Sequence, residues 1–212
     1  MKLFSILRKL FKIMSLILIV LLVIALVKYS SVNVEVYDEI PPIKKDPGIK
    51  IIGLISDTHI PSRAKKLPEN VFVLFEDVDM IIHAGDIVQM DVVKSLEKMA
   101  PVIAVSGNMD LDTVRTELGE INMVEIYDWK IGVVHNPNTM WGIGGLKKIA
   151  KQNNFDILIF GHTHKQFMKW EDEILFINPG SPTDPLPPIF VKSSVGLLLV
   201  SEDRVQPFFI KV

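Results

Sequence analysis

The sequence predicts an α/β domain carried behind an amino-terminal membrane helix, and three patterns predict it. From residue 49 onward, apolar runs of strand length alternate with segments of helical spacing. Five of these runs end, within one to three residues, in a carboxylate, carboxamide or imidazole. Ahead of the domain, residues 13–27 carry no charge, and lysines stand at both ends of the run.

The amino-terminal run is read first. Fifteen residues of helix span about 22 Å, less than the roughly 30 Å of a hydrocarbon core. Leu10 and Phe11 extend it, and Lys12 and Lys28 can snorkel outward to complete the thickness. The competing reading is a cleaved signal peptide. Val27-Lys28-Tyr29-Ser30-Ser31 offers no small-x-small cleavage site, which favours a retained anchor over 1–28. Positive charge is denser before the span than just after it. That bias predicts a cytoplasmic amino terminus and an extracytoplasmic domain. Residues 29–48 read as a linker. Val32, Val34 and Val36 alternate with polar residues as a short edge strand would, and Pro41-Pro42 and Asp46-Pro47-Gly48 mark the domain boundary.

Within 49–212, strands are predicted over 50–56, 80–84 and 101–106, with helices over 67–75 and 91–99 between them. The pattern then changes to strands over 121–126 and 130–134, a helix over 145–152 and a strand over 157–160. Apolar runs over 167–170, 174–177, 197–200 and 205–210 predict an antiparallel run to the end.

Composition narrows the chemistry. A net charge of −2 over 212 residues gives no reason to expect nucleic-acid binding. The chain has no cysteine, so disulfides, thiolate metal sites and cysteine nucleophiles are excluded. A metal site would have to use nitrogen and oxygen. Asp57, Asp86, Asn108, His135 and His162 each follow an apolar run, spaced 22 to 29 residues apart. Ligands of open α/β sheets sit beyond the carboxyl ends of strands, so these side chains are expected on one rim. His59 and His164 join them at a spacing of two residues from Asp57 and His162, and an extended backbone would turn His162 and His164 to one side. Seven such donors exceed the needs of one four-coordinate ion and suit a pair sharing a carboxylate. Two divalent ions would leave a residual positive charge that attracts phosphate and stabilises its transition state.

Asp57-Thr58-His59, Gly85-Asp86, Gly107-Asn108 with Asp110, His135, and Gly161-His162-Thr163-His164 together resemble the calcineurin-like metallophosphoesterases, especially the small archaeal and bacterial phosphodiesterases. Ile177-Asn178-Pro179-Gly180-Ser181 is similar to that group's segment after the last metal motif. The resemblance implies a four-layer α-β-β-α sandwich of two mixed sheets with the site at their shared rim. It implies one ion held by Asp57, His59, Asp86 and His164, and another by Asp86, Asn108, His135 and His162, with Asp86 bridging. It also implies Mn²⁺ or Ni²⁺, with Fe or Zn²⁺ as alternatives, and a small phosphoester substrate. The reaction implied is phosphodiester hydrolysis by a hydroxide bridging the ions, with Asn108 supporting the phosphoryl oxygens. Monoester or pyrophosphate cleavage on a membrane-associated substrate is one alternative. Another is a non-catalytic scaffold, as in the retromer subunit of this fold, whose relatives replace ligands that are intact here.

Several residues carry two readings. Asp110 either assists the leaving group or closes a turn. His83, inside a strand, reads as support for a ligand or as core. Asn136-Pro137 after His135, Trp141, and the prolines between 182 and 188 are candidates for the pocket wall.

Overall fold

The computed structural model describes residues 14–15, 17–19, 34–39, 46–135, 142–186 and 191–212. Two compact units divide the chain, 1–33 and 34–212. In the first, the described residues are helical. Among the described residues no helix is long and apolar enough to cross a membrane, and most of the predicted span over 13–27 lies outside them.

The second unit runs β1 (Val36–Tyr37), β2 (Lys50–Ile55), α1 (Glu69–Leu74), β3 (Met80–His83), α2 (Asp91–Leu96), β4 (Val102–Ala104), α3 (Asp112–Leu118), β5 (Ile121–Ile126) and β6 (Trp129–Val134). It continues with α4 (Gly144–Asn153), β7 (Ile157–Ile159), β8 (Gln166–Glu171), β9 (Ile174–Pro179), β10 (Ser194–Val200) and β11 (Val205–Lys211). A six-stranded sheet has the order β1-β11-β10-β2-β3-β4, and a five-stranded sheet the order β5-β6-β7-β9-β8. Both are mixed.

Apolar burial explains the layers. Ile52, Leu54 and Ile82 pack between the sheets against Ile131, Ile157, Ile159 and Leu175. Their neighbours Ile51, Ile55 and Ile81 point to the other face and bury Val71 and Phe75 near α1, with Val92 and Leu96 of α2. On the far side, Leu158 and Phe176 bury Leu146 and Ala150 of α4. Strands covered on both faces need apolar residues at every position, so β2, β3 and β7 read as continuous apolar runs. Each fully buried Ile, Leu or Phe contributes about 1.5–3 kcal/mol of transfer free energy.

Two features depart from the sequence expectations. Helix α3 was absent from them, because its seven residues bury only Val114 and so carry little helical periodicity. Its physical signals are Asp112 in the first turn and Gly119, at φ 69°, just past the last. The last four strands do not form one antiparallel run. β8 pairs with β9 in the five-stranded sheet, whereas β10 pairs with β11 in the other. The short edge strand that the alternation around Val36 suggested does form: Val36–Tyr37, inside the expected linker, adds to the edge of the six-stranded sheet by parallel pairing with Phe209 and Ile210.

Candidate metal centre

Topology gathers the site. β2, β3 and β4 are parallel neighbours in one sheet, and β6, β7 and β9 are parallel neighbours in the other, so their carboxyl ends share a rim. Asp57 and His59 follow β2, Asp86 follows β3, Asn108 follows β4, His135 follows β6, and His162 and His164 follow β7.

The backbone turns sharply where these residues sit. Asp57, His59, Asp86, His162 and His164 all have left-handed φ, between 46° and 71°. Such conformations cost on the order of 1–3 kcal/mol for residues other than glycine and persist where the surrounding structure enforces them. His162 and His164 therefore reach the rim through tight left-handed turns, not through the extended backbone that the sequence suggested. Gly161 permits this by close approach. A Cβ there would stand 2.6 Å from the Ala84 carbonyl oxygen and 2.9 Å from His135 Nδ1.

Asp57, His59, Asp86 and His164 form a buried quartet whose donor atoms all lie within 4.8 Å of one another. His59 Nε2 is 3.1 Å from His164 Nε2 and 3.5 Å from Asp86 Oδ2, and His164 Nε2 is 3.4 Å from Asp57 Oδ1. Acceptor atoms crowd here with few protons to share, which is the chemistry of a cation site. Nearby, Asn108 Oδ1 lies 3.2 Å from His135 Nε2 and 3.0 Å from His162 Nδ1. The two groups meet at Asp86, whose Oδ2 is also 3.2 Å from His135 Nε2. Its other oxygen accepts the Met109 N–H at 2.7 Å, which fixes the carboxylate plane. Asn108 is exposed and His162 half-buried, so this second group faces solvent while the quartet does not.

The supports are backbone and hydroxyl groups. His135 Nδ1 donates to the Ala84 carbonyl at 2.7 Å, leaving Nε2 directed into the site. The His162 N–H lies 3.0 Å from both oxygens of Asp57, and the Ser56 hydroxyl donates to Asp57 Oδ2 at 2.6 Å. His83 lies behind the site, with Nε2 3.2 Å from the Thr58 hydroxyl, and burial lowers its pKa to about 3. Asp110 accepts the Val88 N–H at Oδ1 and the Gly107 N–H at Oδ2, at 2.5 and 2.6 Å, and joins the loops after β3 and β4. Both its oxygens are committed to loop amides, the arrangement of the turn-closing reading.

Burial raises the Asp57 pKa to about 6, against the lowering effect of His135 and His164. Burial also lowers His59 to about 4, which keeps it neutral at ordinary pH, as a ligand must be. His162 is lowered by burial and by the charge of His135. For His135, burial acts downward, but the hydrogen bond to Asp86 and the charges of Asp57 and Asp86 prevail and raise it to about 9. That proton must leave before Nε2 can act as a ligand.

This shift predicts a pH signature for metal-free protein. A group whose folded pKa exceeds its unfolded value stabilises below the unfolded value, and that stabilisation is lost as pH rises through the folded one. For His135 the window runs from 6.5 to about 9. Asp57 and His59 complete their changes below it. With chelator present, the melting temperature is expected to fall across that window, and His135→Gln to flatten the slope. A wild-type melting temperature constant over the same window contradicts the assignment.

The sequence reading missed the stitching behind the site. The Ser181 hydroxyl donates to the Asp57 carbonyl at 2.7 Å, and Thr183 Oγ1 donates to the Thr58 carbonyl at 2.8 Å. Asp184 pairs with both His164 and Arg63. Asn178 Nδ2 donates to the Gly161 carbonyl at 2.8 Å, which gives the Asn-Pro-Gly-Ser segment a physical role. Asn136, Pro137, Trp141, Pro187 and Pro188 lie outside the described residues, so that part of the expected pocket wall does too.

Two mixed sheets between helices, with carboxylates and imidazoles converging on their common rim, define a metal-dependent phosphoesterase. The calcineurin-like phosphoesterase superfamily domain matches residues 51–202, and the chain belongs to that superfamily. A protein of Methanocaldococcus jannaschii named "probable metallophosphoesterase" is 42% identical over 169 residues, covering 78% of this chain and 83% of that protein. A second protein of that organism, named a phosphodiesterase, is 33% identical over 145 residues, covering 61% of this chain and 82% of its own length. Among solved structures, vacuolar protein sorting 29 of Cryptosporidium parvum superposes with a TM-score of 0.68 at 26% identity, covering 77% of this chain and 92% of that one.

Proposed function

We propose that this chain hydrolyses phosphodiesters with two divalent ions, Mn²⁺ or Ni²⁺ being favoured. The observation that carries the reading is Asp86 Oδ2, which stands between His59 Nε2 and His135 Nε2 where the two ligand groups meet. The phosphodiesterase name of one relative supports the diester over the monoester. Asp57, His59, Asp86 and His164 would hold one ion, and Asp86, Asn108, His135 and His162 the other. Bound at such a centre, divalent ions lower the pKa of water and neutralise charge on a phosphoryl group.

The chain's own groups then divide the work. Asn108 and His162 form the solvent-facing side and receive the substrate. The Asn108 carboxamide is placed to steady a non-bridging phosphoryl oxygen. Asp110 is assigned to positioning, since its hydrogen bonds hold the Gly107-Asn108 loop against the loop of Asp86. All seven ligand residues are present and converge, which supports an enzyme over a scaffold.

The test is turnover of bis(p-nitrophenyl) phosphate against p-nitrophenyl phosphate with added Mn²⁺ or Ni²⁺. Diester cleavage that stops with chelator is expected. Faster monoester cleavage selects the phosphomonoesterase alternative, and a folded protein inactive with every metal selects the scaffold.

The amino-terminal segment is proposed as a retained anchor, supported by its apolar run and flanking lysines. The full chain is expected to sediment with membranes and resist alkaline extraction, whereas residues 34–212 should remain in solution. Protease added to intact cells should remove the domain if it faces outward. Release of the full chain by alkali contradicts the anchor.

A further inference from the structure

We propose that Asp184, held by Arg63, is the positioning residue for the buried half of the metal centre: it keeps the His164 proton on Nδ1 and so presents Nε2 to a divalent cation. The inference rests on the metal-centre reading above.

His164 is buried, and both acceptors that meet its Nδ1 belong to Asp184. The Asp184 carbonyl oxygen lies at 2.5 Å and Oδ2 at 3.1 Å. A neutral imidazole has one N–H; the Asp184 carbonyl accepts it at Nδ1, and the carboxylate stands beside that N–H and reinforces it. The lone pair of Nε2 is then left facing Asp57 Oδ1 and His59 Nε2, at 3.4 and 3.1 Å.

Asp184 is itself fixed from two directions, and its partner Arg63 is fixed in turn. Its N–H donates to the Ser181 hydroxyl at 2.8 Å, and that hydroxyl donates to the Asp57 carbonyl at 2.7 Å. Its carboxylate accepts a hydrogen bond from the Arg63 guanidinium. The Arg63 N–H donates to the His59 carbonyl at 2.8 Å. One short chain of contacts thus ties together Asp57, His59 and His164, three of the four buried ligands, across the seam between the two sheets.

The arrangement is asymmetric. His135 Nδ1 meets a backbone carbonyl alone, and among the described residues His59 Nδ1 has no partner. Of these three rings, only His164 is backed by a carboxylate. A carboxylate behind an imidazole strengthens it as a ligand, and its removal typically costs about 10- to 100-fold in metal affinity. The buried quartet therefore fills first, and the group around Asn108 second.

The experiment titrates Mn²⁺ calorimetrically into the metal-free full chain in detergent. Two binding steps are expected in the wild type. Asp184→Ala should weaken the tighter step by about 10- to 100-fold and retain the weaker one. Asp184→Asn, which keeps the shape and loses the charge, should fall between them, and Arg63→Ala should weaken the same step by less. The second readout is the ¹⁵N spectrum of the metal-free protein. His164 Nδ1 should appear protonated in the wild type and also in Asp184→Ala, where the carbonyl of residue 184 remains its acceptor, but its resonance should shift when the carboxylate beside it is lost. Unchanged tighter binding in a folded Asp184→Ala protein overturns the proposal, as does an unchanged His164 Nδ1 resonance. A wild type that takes up no Mn²⁺ refutes the metal-centre reading instead, and the shift of the His164 Nδ1 resonance still decides the role of Asp184.

Discussion

Replacing Asp86 with alanine is expected to reduce phosphodiester turnover by at least about three orders of magnitude, the largest effect of any single substitution in the chain. Its Oδ2 is the atom common to both ligand groups, 3.5 Å from His59 Nε2 and 3.2 Å from His135 Nε2. Its removal strips one donor from each group at once. It also ends the hydrogen bond and one of the two carboxylate charges that raise the His135 pKa. Steady-state rates with saturating Mn²⁺, beside a circular-dichroism melt showing that the variant folds, check this. A folded variant within about tenfold of wild-type turnover contradicts the assignment of Asp86.

Asn108→Ala and His135→Ala are each expected to lower turnover by two or more orders of magnitude, roughly the loss seen when one transition-state donor is removed. The two residues belong to the solvent-facing group, with Asn108 Oδ1 3.2 Å from His135 Nε2 and 3.0 Å from His162 Nδ1. Their loss should fall on turnover, because the buried quartet is intact in both variants. Asn108→Ala removes an exposed side chain and leaves the protein's stability nearly unchanged. His135→Ala opens a cavity beside Ala84 and costs stability as well. Equal kcat values for wild type and Asn108→Ala would remove Asn108 from the reaction.

Much of this was legible in the residues. Strands buried on both faces betray themselves as short apolar runs, and β2, β3 and β7 fall within a residue or so of their expected places. The ligand residues were legible for a related reason: each follows such a run directly, where parallel strands deliver their ends to one rim. Helix α3 was not legible, because a helix that buries a single residue leaves almost no period in the sequence. The roles of Arg63 and Asp184 were hidden for another reason. Their pairing spans 121 residues and depends on loops from two different sheets meeting. The left-handed turns at His162 and His164 were also invisible, since nothing in Gly-His-Thr-His distinguishes a strand end from a pair of tight turns.

The most direct test of the account is a metal count. Full chain stripped with chelator, reloaded with Mn²⁺ and freed of excess should contain about two ions per chain by elemental analysis, as a paired site requires. Asp86→Ala, treated alike, should retain few or none. A stoichiometry near one in the wild type, unchanged in Asp86→Ala, would contradict a centre built around a shared carboxylate.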